Sequence, residues 1–149
     1  MNFSFYMVDT DYCDYLRESD PRVPYTMERK SIRPFVGIVF SVHNVHYYAP
    51  LTSPKPNFNN MIPVHPGSLR KVEIKILETD SQQNIAYKNL LSNQLSWCNS
   101  NRSTILKQAE KLYRLIAGGN AWDTLVNRCC NFVLDEKLCE AYARENFEP

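Results

Sequence analysis

Hydrophobic positions in this 149-residue chain follow two periods, and the switch between them falls near residue 80. In the first half the apolar residues come in short runs. Residues 3–8 (Phe3-Ser4-Phe5-Tyr6-Met7-Val8) predict a strand rich in aromatics. Asp9 or Thr10 then stands at the cap of a short helix through about Arg17, with Tyr12, Cys13, Tyr15 and Leu16 on adjoining faces. Pro21 and Pro24 open an extended loop that runs to Pro34. Residues 35–42 read as a buried strand, His43-Asn44 as a tight turn, and 45–51 as the returning arm of a hairpin. Two more short strands are predicted over 61–64 and 72–76. The second alternates strictly, so one of its faces meets solvent or a ligand.

Beyond residue 80 the period is helical. Tyr87, Leu91, Leu95 and Cys98 make one stripe of a long helix over 81–99, with Asp80 or Ser81 at its cap. Ser103 or Thr104 caps the next helix, which turns Ile105, Ala109, Leu112 and Ile116 inward and Lys107, Lys111 and Arg114 outward. Gly118-Gly119 stops it. A short turn around 122–128 and a last helix over 135–145 complete the chain. Strands first and helices after give an α+β class: a curved, mostly antiparallel sheet or barrel packed on one side by C-terminal helices. No linker divides the chain, so we read residues 1–149 as a single domain.

Composition narrows the function. An apolar content of 44% is enough for one core. No apolar run approaches the length of a bilayer span, and no basic segment precedes the apolar stretch at the start. A soluble, cytoplasmic protein with no membrane partner is expected. The cysteines (Cys13, Cys98, Cys129, Cys130, Cys139) form no CxxC or CxH pair, and His43, His46 and His65 all lie in the first half. We therefore expect buried reduced thiols, no metal site and no cofactor. A net charge of +1 argues against nucleic acid, but its distribution does not. Residues 22–128 hold fourteen Lys/Arg against six Asp/Glu, whereas the two ends hold three against ten. A basic middle suits a focused anionic ligand; ordinary solvated faces give the same count, and on charge alone they are the preferred reading.

The most informative stretch is Pro50-Leu51-Thr52-Ser53-Pro54-Lys55-Pro56. Two hydroxyls and an ammonium stand within four residues, stiffened by prolines that fix φ. Hydroxyls can hydrogen-bond phosphate oxygens, and the ammonium can offset charge that grows in a transition state. The bland alternative is a polar turn that happens to contain a lysine.

The string Tyr47-Tyr48-Ala49-Pro50-Leu51-Thr52-Ser53-Pro54-Lys55 resembles the ToxN/AbiQ family, with the CptN branch a candidate within it. So do Phe5-Tyr6-Met7-Val8-Asp9, Arg33-Pro34-Phe35-Val36-Gly37 and Asn59-Asn60-Met61-Ile62-Pro63-Val64. The resemblance is clearest in the first half of the chain. It implies an elaborated MazF/Kid-like barrel and a toxin that cleaves RNA without metal or cofactor, leaving a 2′,3′-cyclic phosphate and a 5′-hydroxyl. It also implies a pseudoknotted RNA antitoxin that the toxin itself processes, and closed rings of alternating protein and RNA.

Carried over by position, the catalytic residues implied are Thr52, Ser53, Lys55 and Arg33, the last standing where the family's prototype has a lysine. No histidine falls at a matching position, so the general acid and base stay open. Tyr25, Arg29 and Lys30, on the loop before Arg33, are candidates to stack on a base and hold phosphates. Arg29 stands where the prototype has a functional tyrosine. Lys107, Lys111 and Arg114 are candidates for binding antitoxin RNA, against the simpler reading of a solvated helix face. His43 and His46 are read as structural, and Trp97 and Trp122 as core anchors. Relatives carry a long segment where Pro56 here runs directly into Asn57, so a flexible loop is expected to be missing between 56 and 57. Two other readings stand beside the enzyme: an RNA- or protein-binding module on the same scaffold, and a toxin directed at DNA or protein.

Overall fold

The turn at His43-Asn44 organises the sheet. Both residues adopt positive φ, 50° and 63°, the pair that a type I′ hairpin turn demands. It joins β4 (Phe35–Val42) to β5 (Val45–Thr52) in antiparallel register, from Val42 opposite Val45 to Phe35 opposite Pro50, with a bulge between Gly37 and Phe40. Gly37 is required there: a Cβ would lie 2.1 Å from the Tyr48 ring. On the far side of β4 lies β1 (Ser4–Val8), followed by β8 (Leu69–Lys71), both antiparallel. On the near side, β5 pairs with β6 (Lys55–Pro56) and β7 (Ile62–Pro63).

The computed structural model describes residues 2–25, 27–28, 31–52 and 55–148, with backbone alone at 27, 28, 31 and 32. Among the described residues the strand path ends at β6 on one side and β8 on the other, so the sheet is open. Of the two expected forms, sheet or barrel, the closed barrel is corrected. A separate two-stranded ribbon, β2 (Met27–Glu28) with β3 (Ser31–Ile32), occupies part of the expected loop.

The predicted strand at 72–76 does not form. Val72 still donates to Phe5 O at 2.9 Å. Beyond it, β1 begins at Ser4, so the partner runs out. Local bonds take over: Lys75 N donates to the Glu73 carboxylate at 2.7 Å, and Leu77 N to Asp80 Oδ2 at 2.7 Å.

The helices follow: α1 (Thr10–Arg17) after β1, then α2 (Gln82–Ser100), α3 (Arg102–Ala117), α4 (Asp123–Arg128) and α5 (Phe132–Asn146). Ser81 caps α2, its hydroxyl accepting from Asn84 N at 3.1 Å. A single residue, Asn101, separates α2 from α3, so the expected caps Ser103 and Thr104 lie inside the helix. The stripe of α2 also differs from expectation. Leu91, Gln94 and Cys98 are buried, while Tyr87 stands 46% exposed.

The core lies between the sheet and α1, α3 and α5, around Phe5, Phe35, Tyr12, Tyr47, Met61 and Phe132. Tyr12 donates to Pro63 O at 2.5 Å, and Tyr47 to Glu136 Oε2 at 2.6 Å, so buried phenols tie α1 to β7 and β5 to α5. All five cysteines are free and buried.

Candidate active site

Register brings two of the predicted residues together. Phe35 lies opposite Pro50, and the bond from Leu51 N to Pro34 O, 3.0 Å, carries the ladder one residue further. Arg33 comes just before β4, on the side of the hairpin where β5 ends at Thr52. Thr52 in turn pairs with Lys55 of β6. Thr52 and Lys55 are exposed and Arg33 is half-buried. Ser53 lies outside the described residues. Pro50 and Pro56 are buried, so Thr52 and Lys55 are each flanked by backbone of fixed φ.

The Lys55 ammonium reaches toward α2, 6.0 Å from the centre of the Trp97 ring. The two line a cleft of about 210 Å³ together with Phe58, Asn101, Thr104 and Gln108. Sequence reasoning missed this wall. Trp97, expected as a core anchor, does pack half-buried against the core and also lines the cleft, whereas Trp122, expected likewise, is 70% exposed. The available signal was positional, since Trp97 falls off the stripe of Leu91, Leu95 and Cys98.

The helix period extends the wall along α3. Thr104, Gln108 and Lys111 succeed one another at i, i+4 and i+7, a single line on the helix surface, with Lys107 beside it. Lys107 and Lys111 are exposed. Arg114, further along, is paired with Glu110 at 2.9 Å on the surface, a contact of little energetic weight.

The other candidates lie elsewhere or outside the described residues. Tyr25 sits against α1, 65% exposed, with the Arg17 guanidinium 3.8 Å from its ring centre and bonded to Pro24 O at 3.0 Å. A base stacking there would take the opposite ring face. Arg29 and Lys30 lie outside the described residues. His43 bonds Glu136 at 2.9 Å and His46 bonds Ser41 at 2.7 Å, placing both at a second cleft shared with His65. At the Pro56–Asn57 junction, Asn57 N donates to Pro50 O at 2.8 Å while its side chain accepts from Asn59 N at 3.1 Å.

The arrangement offers hydroxyl donors, a point charge and a planar cation around one exposed edge, with an aromatic ring behind. Such a set suits an anionic substrate with stackable bases. Comparison with known proteins agrees with it. The profile of the family described as "Toxin ToxN, type III toxin-antitoxin system" matches residues 4–57 and 56–140. Endoribonuclease ToxN of Bacillus thuringiensis subsp. kurstaki is 28% identical over 167 aligned residues, 95% of this chain and 84% of the relative. Endoribonuclease ToxN of Pectobacterium atrosepticum is 27% identical, covering 95% of this chain and 94% of the relative.

Among solved structures, a type III system in which a non-coding RNA pseudoknot selectively inhibits the toxin superposes with a TM-score of 0.81. It is 27% identical and covers 95% of this chain and 98% of that one. The lactococcal anti-phage endoribonuclease AbiQ shares the fold, with a TM-score of 0.80 at 19% identity over 97% and 99% of the two chains. The Bacillus alignment is longer than this chain's 149 residues, and the two profile segments meet at 56–57.

Proposed function

The chain belongs to the ToxN toxin family of type III toxin–antitoxin systems, and from that premise we propose that it is an endoribonuclease held inactive by a pseudoknotted RNA antitoxin. The supporting observation is the pairing of Thr52 with Lys55 at the exposed end of the sheet, with the Lys55 ammonium beside the Trp97 ring.

In this reading the RNA supplies its own nucleophile. A 2′-hydroxyl loses its proton and attacks the adjacent phosphorus; the bond to the 5′ oxygen breaks, leaving a 2′,3′-cyclic phosphate and a 5′-hydroxyl. The reaction needs no metal if side chains offset the charge that builds on the non-bridging oxygens. Lys55 and Arg33 do so electrostatically, and Thr52 and Ser53 donate hydrogen bonds that orient the phosphate. Trp97, beside Lys55, gives a base a surface to stack on, and Lys107 and Lys111 continue the cationic track along α3. Tyr25, Arg29 and Lys30 extend it on the other side of Arg33. The antitoxin occupies the same edge in a closed protein–RNA assembly in the bacterial cytoplasm, and the toxin cuts it from its repeat transcript.

The test is incubation of antitoxin-free protein with end-labelled RNA in EDTA, beside Lys55→Ala. Cleavage to cyclic-phosphate ends, reduced about 10²–10³-fold in the variant, is expected from loss of one group that stabilises the transition state. RNA bound equally by both proteins and cut by neither would replace the enzyme with a binding module.

A further inference from the structure

A second constellation lies away from the sheet edge, where the end of α1 meets the start of α5. We propose that Asp20, Cys130 and Asp135 form a structural binding site for one divalent cation of zinc type. One ligand atom from each lies within 4.8 Å of the others, and the three residues are 4%, 1% and 0% exposed. Cys130 and Asp135 lie close in sequence but Asp20 stands more than a hundred residues earlier, which is why cysteine and histidine spacing gave no sign of them.

The second observation is independent of the clustering. Both carboxylate oxygens of Asp135 are buried without a donor among the described residues, and the group that approaches them is the Asp20 carboxylate, an acceptor like itself. A buried carboxyl in that state calls for an ion, a proton or a water. Asp20 is already oriented from behind. Its Oδ2 accepts from Asn131 N at 2.7 Å and its Oδ1 from Arg22 N at 3.2 Å, as outer-shell bonds commonly hold a metal ligand. One thiolate and two carboxylates suit a borderline cation, with water as fourth ligand. Bonds to zinc put tetrahedral ligand atoms roughly 3.3–3.6 Å apart, so closure asks only a small inward shift.

The site also touches the nuclease edge indirectly. Cys130 N donates to Asn59 O at 2.8 Å, anchoring α5 to the turn that follows β6.

The test uses the full chain, stripped with chelator and titrated with Zn²⁺ or Co²⁺. One ion bound per chain by native mass spectrometry is expected. Co²⁺ should produce a thiolate charge-transfer band that Cys130→Ser abolishes, and Zn²⁺ should raise the melting temperature of the wild type but not of Asp135→Asn. A folded wild type that takes up no stoichiometric metal would overturn the site. So would a Co²⁺ band that survives in Cys130→Ser.

Discussion

At the open end of the sheet, Thr52 and Lys55 stand in solvent on a short hairpin. Under α5 the situation is reversed. Glu136, only 13% exposed, takes hydrogen bonds from Tyr47 at 2.6 Å and Tyr113 at 2.7 Å and contacts His43 at 2.9 Å, and Asp20 and Asp135 are buried beside Cys130. Both regions gather charged side chains, but the edge gathers cations that an anionic partner can reach, and the seam gathers acids that face inward, away from such a partner. The uneven charge along the sequence has the same division. Its basic middle supplies the edge, while three acids of its ends, Asp20, Asp135 and Glu136, close the seam. Acidity at the chain ends is thus partly an internal bonding resource and not wholly a surface field.

The contrast breaks if stability and cleavage move together. Glu136→Ala leaves two phenols without their acceptor and should cost roughly 2–4 kcal/mol in urea unfolding, while RNA cleavage per folded molecule stays within about twofold. Lys55→Ala should do the opposite, losing cleavage with an unchanged unfolding midpoint; a shared loss in either variant would show that edge and seam are one unit.

A pH series sharpens the contrast. Asp135, folded at about 9, lies far above the ordinary carboxylate value near ~3.9. The folded state therefore holds the extra proton between those limits. In chelator, stability should be fullest at low pH within that window and fall as pH rises toward 9, by up to about 1.4 kcal/mol per unit. Asp135→Asn should flatten that slope, and a slope that persists would place its source elsewhere. The smallest expected effect is at the far end of the edge. Lys111→Ala should weaken RNA binding a few-fold and lower the salt slope by about 1, with stability unchanged.

What the sequence revealed was local. His43-Asn44 encodes a turn through its own φ preferences, Ser81 caps α2 with its own hydroxyl, and Pro-Leu-Thr-Ser-Pro-Lys carries the catalytic candidates within a few residues. What it hid depended on partners far away. Alternation at 72–76 looks like a strand, but β1 begins at Ser4 and reaches only its first residues. Trp97 joins Lys55 only because α2 crosses beside β6, and Asp135 meets Asp20 across more than a hundred residues. A closed barrel could not be told from an open sheet, because alternating burial is the same in both.

The position of α5 has a kinetic consequence. Its Glu136 and Asn131 complete hydrogen bonds whose other members, Tyr47 and Asp20, are 89 and 111 residues earlier. Contacts of such sequence separation form late and slowly, because the intervening chain must close its loop first. During synthesis the hairpin that carries Thr52 and Lys55 emerges well before the helix that locks its base. A ribosome that stalls before Phe132 releases strands with unpaired buried phenols, a species fit for proteolysis. Made in this order, the hairpin waits for α5 before the Tyr47 hydroxyl meets Glu136.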